Sequence, residues 1–372
     1  MSKETFIGGD LIEEIGGSYK IYTQDSYELS SGKQIIYNGE VGVSHDSPKA
    51  PVISKENKVT REIYLTFDDG IQAGTEEVLE LLKRKGIKGT FFLTGIHLYY
   101  FIEKNKDRKK ALNVLKDIYE NHAIGNHSYS HANDFYENFY SKGGVKYKGD
   151  GTKEEDKRPV FTDFIKCKEQ ILYYLDEVYG KNKITNRNLP LAKNQTVPLA
   201  RFPGRNTWYT DRIKDMKSDT KDEAKELYDK KKYQIYGWDC EWHIKSWDFK
   251  DLSVKSVKKK VDNKRMDFSK DEEAHPYYDM YSKEYIEKDR LKDSWETVRD
   301  DLLENVYYGG GLDKVGKTNG KVVLLMHERA FRNGKLINGN VDITSKDEIN
   351  KLEKLIDYFQ KIKAEFKTLD KY

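Results

Sequence analysis

A chain of 372 residues with 37% hydrophobic and 35% charged residues has enough apolar material for a globular core beneath a heavily solvated surface. Its formal charge of +3, with basic and acidic residues interspersed along the chain, is too small to indicate a nucleic-acid partner. No apolar run is long enough to cross a membrane, and the two distant cysteines, Cys167 and Cys240, fit neither a disulfide framework nor a metal-ligand spacing.

The first 60 residues are rich in Gly and Ser and weakly patterned. They predict an N-terminal extension with a short hairpin and a linker, ahead of one domain over 61–372. The start of the chain, from Met1 to Glu14, lacks the basic start and apolar stretch of a signal peptide. Either the protein is cytosolic or a leader has been removed, and the sequence leaves both open.

Strand and helix patterns alternate after residue 61. An apolar run from Ile63 to Phe67 predicts a buried strand that ends in the turn Asp68-Asp69-Gly70. A helix follows, with Thr75 predicted as its N-cap and Gly86 as its C-terminal stop.

The alternation continues with a strand at 89–93, a helix through 111–119 and a strand end at 123–125. A last amphipathic helix runs through 349–362. This order predicts a parallel α/β sheet or barrel, in which functional sites gather at the carboxyl ends of strands. Further strands are predicted at 199–202, 233–238 and 321–326, and polar insertions near 134–160, 211–232 and 245–320.

Polar clusters end several of these predicted strands. Asp68 and Asp69 are either an ordinary acidic turn or a pair with separate partners, one an ion and one a water. His127 and His131 would share a face if their segment were helical, about 5–6 Å apart. With Asp69 they would form a set of two histidines and a carboxylate with open positions, as hydrolytic metal sites require.

Two further clusters have functional and structural interpretations. The turn from Arg201 to Arg205 is either a surface turn or a device that aims a backbone N–H into a site, with Arg201 holding a carboxylate. His327, just past a predicted strand, is either a core histidine or a general acid that titrates near neutral pH.

The segment 236–243 is dense in aromatic and acidic residues. If it is extended, Asp239 and Glu241 share a face. Its tryptophans, together with a third one nearby, are either core residues or walls for a sugar: Trp238, Trp242 and Trp247.

Four motifs thus follow one another along the chain, at Thr66–Gly70, His127–His131, Arg201–Gly204 and Leu325–His327. Together they resemble the NodB-homology domain of the polysaccharide deacetylases, carbohydrate esterase family 4. The resemblance is dense over 61–131 and continues in pieces to about residue 365. It implies an α/β fold, a distorted (β/α) barrel of about seven parallel strands.

The resemblance also implies a metal site. Asp69, His127 and His131 match the family's ligand triad for one divalent ion, most often Zn²⁺, with Co²⁺, Ni²⁺ and Mn²⁺ as alternatives. Asp68 matches the general base, and Arg201 matches the residue that orients this base.

Further roles follow by position. His327 matches the general acid, Gly204 falls where the family offers a backbone N–H to the oxyanion, and Leu325 falls in the acetyl pocket. The fourth family motif departs from its usual form here. Glu241, the acid nearest the family's usual position, is predicted to take the place of the carboxylate that holds His327, with Asp239 as its rival.

The implied function is hydrolysis of acetyl groups from N-acetylated amino sugars in a polysaccharide or glycan, in the periplasm, the cell envelope or outside the cell. Two alternatives stay open: a hydrolase of O-acetyl groups or non-sugar amides, and an inactive carbohydrate-binding protein. The expected partner is an acetylated glycan, with no nucleic acid. The particular glycan and the oligomeric state are not predicted.

Overall fold

The computed structural model describes residues 62–372, apart from 104, 135–138, 141–143, 148–152, 157–159, 181–189, 246–289, 309–319 and 339. The predicted N-terminal extension over 1–60 and Trp247 lie outside the described residues. The division into extension and domain therefore stays a prediction.

The described part of the chain contains twelve strands and seven α-helices. The strands are β1 (Glu62–Gly70), β2 (Thr90–Leu93), β3 (Ala123–Asn126), β4 (Gly144–Tyr147), β5 (Lys153–Asp156), β6 (Leu199–Ala200), β7 (Gln234–Ile235), β8 (Cys240–Glu241), β9 (Lys321–His327), β10 (Lys335–Ile337), β11 (Asn340–Asp342) and β12 (Glu365–Phe366). The helices are α1 (Thr75–Lys85), α2 (Gly95–Glu103), α3 (Arg108–Asn121), α4 (Val160–Tyr179), α5 (Lys221–Lys231), α6 (Trp295–Tyr308) and α7 (Asp347–Lys361). Short 3₁₀ turns lie at His131–Asp134, Glu328–Phe331 and Leu369–Lys371.

Eight strands form one sheet in the order β7-β6-β3-β2-β1-β9-β8, with β12 added beside β1. Every pairing in this sheet is parallel. The remaining strands form two antiparallel hairpins, β4-β5 and β10-β11. The predicted distorted (β/α) barrel of about seven parallel strands is confirmed.

The central strand β1 is buried on both faces, and this burial stabilises the sheet. All nine of its residues are buried, as expected of a parallel strand covered on both faces. Helices α1 and α7 supply apolar faces, with Val78 and Leu82 from α1 and Leu352 and Phe359 from α7 in the same core cluster. The carboxyl end of β1 is thereby fixed in the middle of the fold.

Several local predictions need adjustment. Thr75 is the first residue of α1, and Gly74, with φ of 92°, occupies the N-cap position that we predicted for Thr75. Gly86 is confirmed as the C-cap, in the left-handed conformation with φ of 67°. The strand predicted at 233–238 is shorter, because the backbone after Ile235 leaves the ladder and offers its carbonyls to a buried side chain.

The predicted polar insertions contain ordered elements. The segment 211–232 includes α5, which buries Ala224 and Leu227. Among the described residues, no helix is long and apolar enough to span a bilayer.

Candidate active site

The polar side chains at the strand ends surround one cavity of about 390 Å³. Because the strands are parallel, residues that follow β1, β3, β8 and β9 meet at one edge of the sheet. The lining residues are Asp68, Asp69, His127, His131, Gly204, Trp238, Glu241, His243, Leu325 and His327.

Asp69 is the centre of a candidate metal site. Its Oδ1 lies 2.9 Å from Nε2 of His131 and 3.4 Å from Nε2 of His127. One ligand atom from each of the three buried residues can be chosen so that all lie within 4.8 Å of one another. Asp69 has a positive φ of 70°, so the backbone turns here and separates the direction of its side chain from that of Asp68.

The ring orientation of His127 suits a metal ligand. Its Nδ1 lies 2.9 Å from the carbonyl oxygen of Arg201, and since a carbonyl only accepts, Nδ1 carries the proton. A ring protonated only at Nδ1 presents a lone pair at Nε2, on the side of Asp69. A histidine ligand held through its other ring nitrogen is the usual arrangement in metal sites.

The segment between the two histidines is a loop and not the helix that would have placed them on one face. Ser128 has φ of 67° and His131 has φ of 50°, and a 3₁₀ turn begins only at His131. The two rings still converge, with centroids 5.3 Å apart. The convergence comes from the turn of the loop, so the helical condition was wrong although both residues lie at the site.

Asp163 on α4 holds this loop in place. Its Oδ2 accepts hydrogen bonds from the backbone N–H of Tyr129 at 2.9 Å, and from the N–H and hydroxyl of Ser130 at 3.0 and 3.1 Å. Sequence reasoning missed Asp163, because nothing in the helical pattern of α4 separates an inward acid from a solvated one. Asp163 is recognised only in the structure, where its side chain is buried with 6% exposure.

The donor set fits a divalent cation. Asp69 Oδ1 is buried and has no hydrogen-bond partner among the described residues. Burial raises the pKa of Asp69, but the neighbouring side chains of His131, His327 and His127 outweigh burial and hold that pKa well below its usual value. A buried carboxylate beside two imidazole nitrogens is a typical site for a metal such as zinc.

Asp68 has a different partner. Its Oδ1 accepts a hydrogen bond from Arg201 Nη1 at 2.9 Å, while its Oδ2 lies 3.6 Å from His127 Nε2. Burial raises the pKa of Asp68, and the Arg201 guanidinium opposes this. One carboxylate oxygen is thus fixed by the Arg201 guanidinium, and the other is turned toward His127, a candidate metal ligand.

Arg201 is fully buried and held on every side. Its guanidinium also donates to Thr66 Oγ1 at 2.7 Å and to the carbonyl oxygens of Tyr236 at 3.0 Å and Gly237 at 2.7 Å. Its central carbon lies 4.3 Å from the centroid of the Phe92 ring. These contacts fix the position of the Arg201 side chain, and Asp68 is the carboxylate to which it donates.

Arg329 was not anticipated from the sequence. It lies in the 3₁₀ turn after β9, is 1% exposed, and donates from Nη1 to Asp69 Oδ2 at 2.5 Å. His327 is close to the same oxygen, with Nε2 at 3.6 Å. Sequence motifs gave no signal for Arg329, because a single arginine in a polar turn usually faces solvent.

The surroundings of His327 differ from the expected ones. The structure places Asp69 beside it, whereas the prediction named Glu241 or Asp239. Burial lowers the pKa of His327 to about 3 against the opposing charge of Asp69, which makes the ring neutral at neutral pH in the metal-free protein.

The two rival acids occupy different places. Asp239 Oδ2 accepts the backbone N–H of Val323 at 2.8 Å, and burial raises the pKa of Asp239 to about 6. Glu241 lines the cavity, where burial raises its pKa and its Oε2 lies 3.9 Å from His243 Nε2. His243 in turn donates from Nδ1 to Asp293 at 2.7 Å.

The predicted substrate-binding residues separate into two groups. Trp238, Gly204 and Leu325 line the cavity, and Gly204 adopts a positive φ of 62°. Trp242 is fully buried against Phe331 and is a core residue, so it does not form a wall of this cavity.

Comparisons with known proteins bear on the segment that carries the first two motifs. Residues 55–159 match the family model described as polysaccharide deacetylase. A peptidoglycan-N-acetylmuramic acid deacetylase from Bacillus subtilis is 42% identical over 76 residues, which are 20% of this chain and 26% of that protein. A chitin disaccharide deacetylase from Vibrio alginolyticus is 25% identical over 225 residues, or 50% of this chain and 48% of that protein.

Among solved structures, a Streptococcus mutans CE4 esterase has a TM-score of 0.43 and 15% identity, and the match covers 84% of this chain and 87% of that one. The chain spans about a quarter to a half of the length of the two curated relatives. The family match confirms the resemblance for the segment that carries the first two motifs, Thr66–Gly70 and His127–His131.

Proposed function

We propose that this chain, whose residues 55–159 match the polysaccharide deacetylase family, is a metal-dependent hydrolase that removes acetyl groups from N-acetylated amino sugars in a glycan. The observation that carries the proposal is one cavity that combines the Asp69, His127 and His131 cluster with a separately held carboxylate, Asp68. An inactive carbohydrate-binding protein would need neither the cluster nor a second, differently held acid.

The ligand triad would hold one divalent ion, most often Zn²⁺ in sites of this composition. Such an ion acts as a Lewis acid and lowers the pKa of bound water to near 7. Among the chain's own residues, Asp69 contributes the charge and the two histidines contribute neutral nitrogen donors.

Asp68 is the proposed general base. Its Oδ1 is fixed by Arg201, so Oδ2 is free to accept a proton on the side of His127. Arg201 acts through Asp68, because its guanidinium is fully buried. We assign it to positioning of the base.

His327 is the proposed proton donor to the departing nitrogen. Because its pKa is near 3 in the metal-free protein, its ring must take up a proton within the reaction before it can donate one. Asp68 is its register partner across the β1-β9 pair and is the carboxylic acid that the first step would protonate. The proposal therefore includes transfer of that proton from Asp68 to His327 and from His327 to the departing nitrogen.

Trp238, Leu325 and the backbone at Gly204 are the proposed contacts of the sugar, the acetyl methyl group and the oxyanion. The names of relatives that act on peptidoglycan or chitin support an acetylated glycan of the cell envelope as the substrate, and an envelope or extracellular location.

The test is a panel of acetylated compounds given to the purified, Zn²⁺-supplemented chain. N-acetylglucosamine oligomers, peptidoglycan fragments, O-acetylated sugars and simple N-acetyl amides are compared for release of acetate and free amine. We expect amine release from the glycans, abolished by a chelator and restored by Zn²⁺. Release from O-acetyl compounds alone would contradict the proposal, as would glycan cleavage that survives chelation.

A further inference from the structure

The two carboxylate oxygens of Asp69 face different groups. Oδ1 is on the side of His127 and His131, at 3.4 and 2.9 Å from their Nε2 atoms. Oδ2 accepts from Arg329 at 2.5 Å. One oxygen of the carboxylate thus faces the histidines, and the other is hydrogen-bonded to the Arg329 guanidinium.

Arg329 is held by its own scaffold. The 3₁₀ turn Glu328–Phe331 follows β9 directly and packs tightly against the loop after Asp69. A Cβ on Gly74 would lie 2.0 Å from the carbonyl oxygen of Glu328, and one on Gly70 would lie 2.2 Å from Glu328 Oε1. Arg332 also donates to the carbonyl oxygen of Arg329. The turn and the loop after Asp69 are therefore in close backbone contact.

Stability alone is a weak reason for this ion pair. Both side chains are at most 2% exposed, and the cost of burying two charges often equals or exceeds their attraction. A fixed arginine on one oxygen has a clearer effect on a ligand, because it sets the orientation of the carboxylate and occupies the oxygen that would otherwise reach the same ion.

We propose that Arg329 is a positioning residue that makes Asp69 a one-oxygen metal ligand, with Oδ1 directed to the ion and Oδ2 kept away from it. Restricting Asp69 to one oxygen leaves a coordination position for water or substrate. This inference rests on the metal site of the proposed function.

Two effects of Arg329 on the ion oppose each other. Its charge repels a cation, whereas its hydrogen bond orients the ligand. Partners of metal ligands typically change metal affinity by about 10–100-fold when they are removed. We therefore expect orientation to dominate, so that Arg329→Met binds Co²⁺ and Zn²⁺ about 10–100-fold more weakly than the wild type.

The test uses the full chain stripped of metal and titrated with Co²⁺ and Zn²⁺ against a chromophoric chelator. Arg290 provides the matched control, because it is also buried and its guanidinium donates to the backbone carbonyls of Arg332 and Gly334. Arg290→Met should leave metal affinity within about twofold of the wild type, since no contact with a metal ligand is removed.

The visible spectrum of the Co²⁺ protein gives a second readout. Its absorption weakens as the number of ligands rises. Freeing Oδ2 in Arg329→Met should let it join the ion and weaken the absorption, and Arg329→Lys should partly restore both absorption and affinity by returning a charged donor. Arg290→Met should keep the wild-type spectrum.

Unchanged spectra and affinities in Arg329→Met would overturn the inference, and so would tighter metal binding with a wild-type spectrum, which would leave only charge repulsion. If Arg329→Met does not fold, Arg329→Lys is compared with Arg290→Lys. About tenfold weaker binding in the first alone is then expected, and equal binding overturns the inference. Failure of the wild type to bind either ion would defeat the proposed function itself.

Discussion

Asp68 and Asp69 are neighbours in the chain, yet each is held by its own arginine. Arg201 donates to Asp68 and Arg329 donates to Asp69. Two adjacent acids in a low-dielectric site would otherwise repel each other and share a proton. Under the proposed function, the separate partners would allow Asp69 to bind a metal ion while Asp68 gains and loses a proton.

The first prediction concerns the base. Asp68→Asn is expected to lower kcat by about 10²–10⁴-fold, because the amide has nearly the same shape but cannot accept the proton. Metal content should stay at the wild-type level. Amine release and metal analysis on the same preparation measure both, and near-normal kcat with metal retained would remove Asp68 from this role.

The second prediction separates the two rival acids. Glu241 lines the cavity while Asp239 is bound to the backbone of β9, so Glu241→Gln should shift the alkaline limb of the kcat/KM profile to lower pH. Glu241 faces the same cavity as His327, and its loss removes a negative charge that would favour the protonated ring that His327 must form within the reaction.

Asp239→Asn is the matched control. Its amide oxygen can still accept the N–H of Val323, so the alkaline limb should stay in place. If Asp239→Asn moves the limb and Glu241→Gln does not, the two acids exchange roles. If neither moves it, Asp69 is the carboxylate that sets the charge on His327.

At the scale of elements, the 3₁₀ turn after β9 carries a buried acid that the proposed chemistry does not use. Glu328 is fully buried, neither carboxyl oxygen has a hydrogen-bond partner among the described residues, and burial raises its pKa to about 8. The folded pKa lies above the usual 4.5, so the folded state binds this proton more tightly. The stability it contributes is complete below pH 4.5 and is lost as the pH rises through 8.

The third prediction follows from the loss of stability that deprotonation of Glu328 causes at high pH. Glu328→Gln keeps a neutral group of similar shape, so it should raise the Tm of the chelated protein by about 3–6 °C at pH 9 and change it little at pH 5. Glu296→Gln, on the exposed side of α6, is the control and should be neutral at both. A gain at pH 5 equal to that at pH 9 would mean that titration of Glu328 is not the cause.

At the scale of the whole molecule, the candidate site joins strands from both ends of the described chain. The fourth prediction is that metal links this site to global stability. Zn²⁺ at 100 times its Kd should stabilise the fold by about 2.7 kcal/mol, because only the folded state assembles the ligands. Thermal unfolding with and without a chelator measures this, and His127→Ala should abolish the difference. Equal Zn²⁺ stabilisation in both proteins would place the ion elsewhere.

Much of the fold was predictable because its signals are local. The apolar runs of β1 and β9 and the faces of α1 and α7 depend only on neighbouring residues. The motif residues were predictable as strand ends. Sequence patterns could not give Arg329 or Asp163, because each acts on a residue distant in the chain through a contact that only tertiary structure creates.

The loop between His127 and His131 shows the same limit. Spacing of four residues places two side chains on one face only in a helix, yet positive φ at Ser128 and the hydrogen bonds to Asp163 fix a loop there. The fate of Trp242 was also undecidable from composition, since a buried core tryptophan and a cavity wall look alike in sequence.

The pairing of β1 with β9 has a consequence for how the chain acquires its site during synthesis. Thr66 and the carbonyl of Leu324, bonded across this pair, are 258 residues apart. Contacts between such distant segments slow folding, because a long loop must close first. A nascent chain can pair β1 with β2 early, but Asp69 cannot contact Arg329 until about 260 further residues have been synthesised. Until then the edge of β1 that will pair with β9 is exposed on the ribosome-bound chain. Exposed strand edges of this kind bind chaperones and promote aggregation.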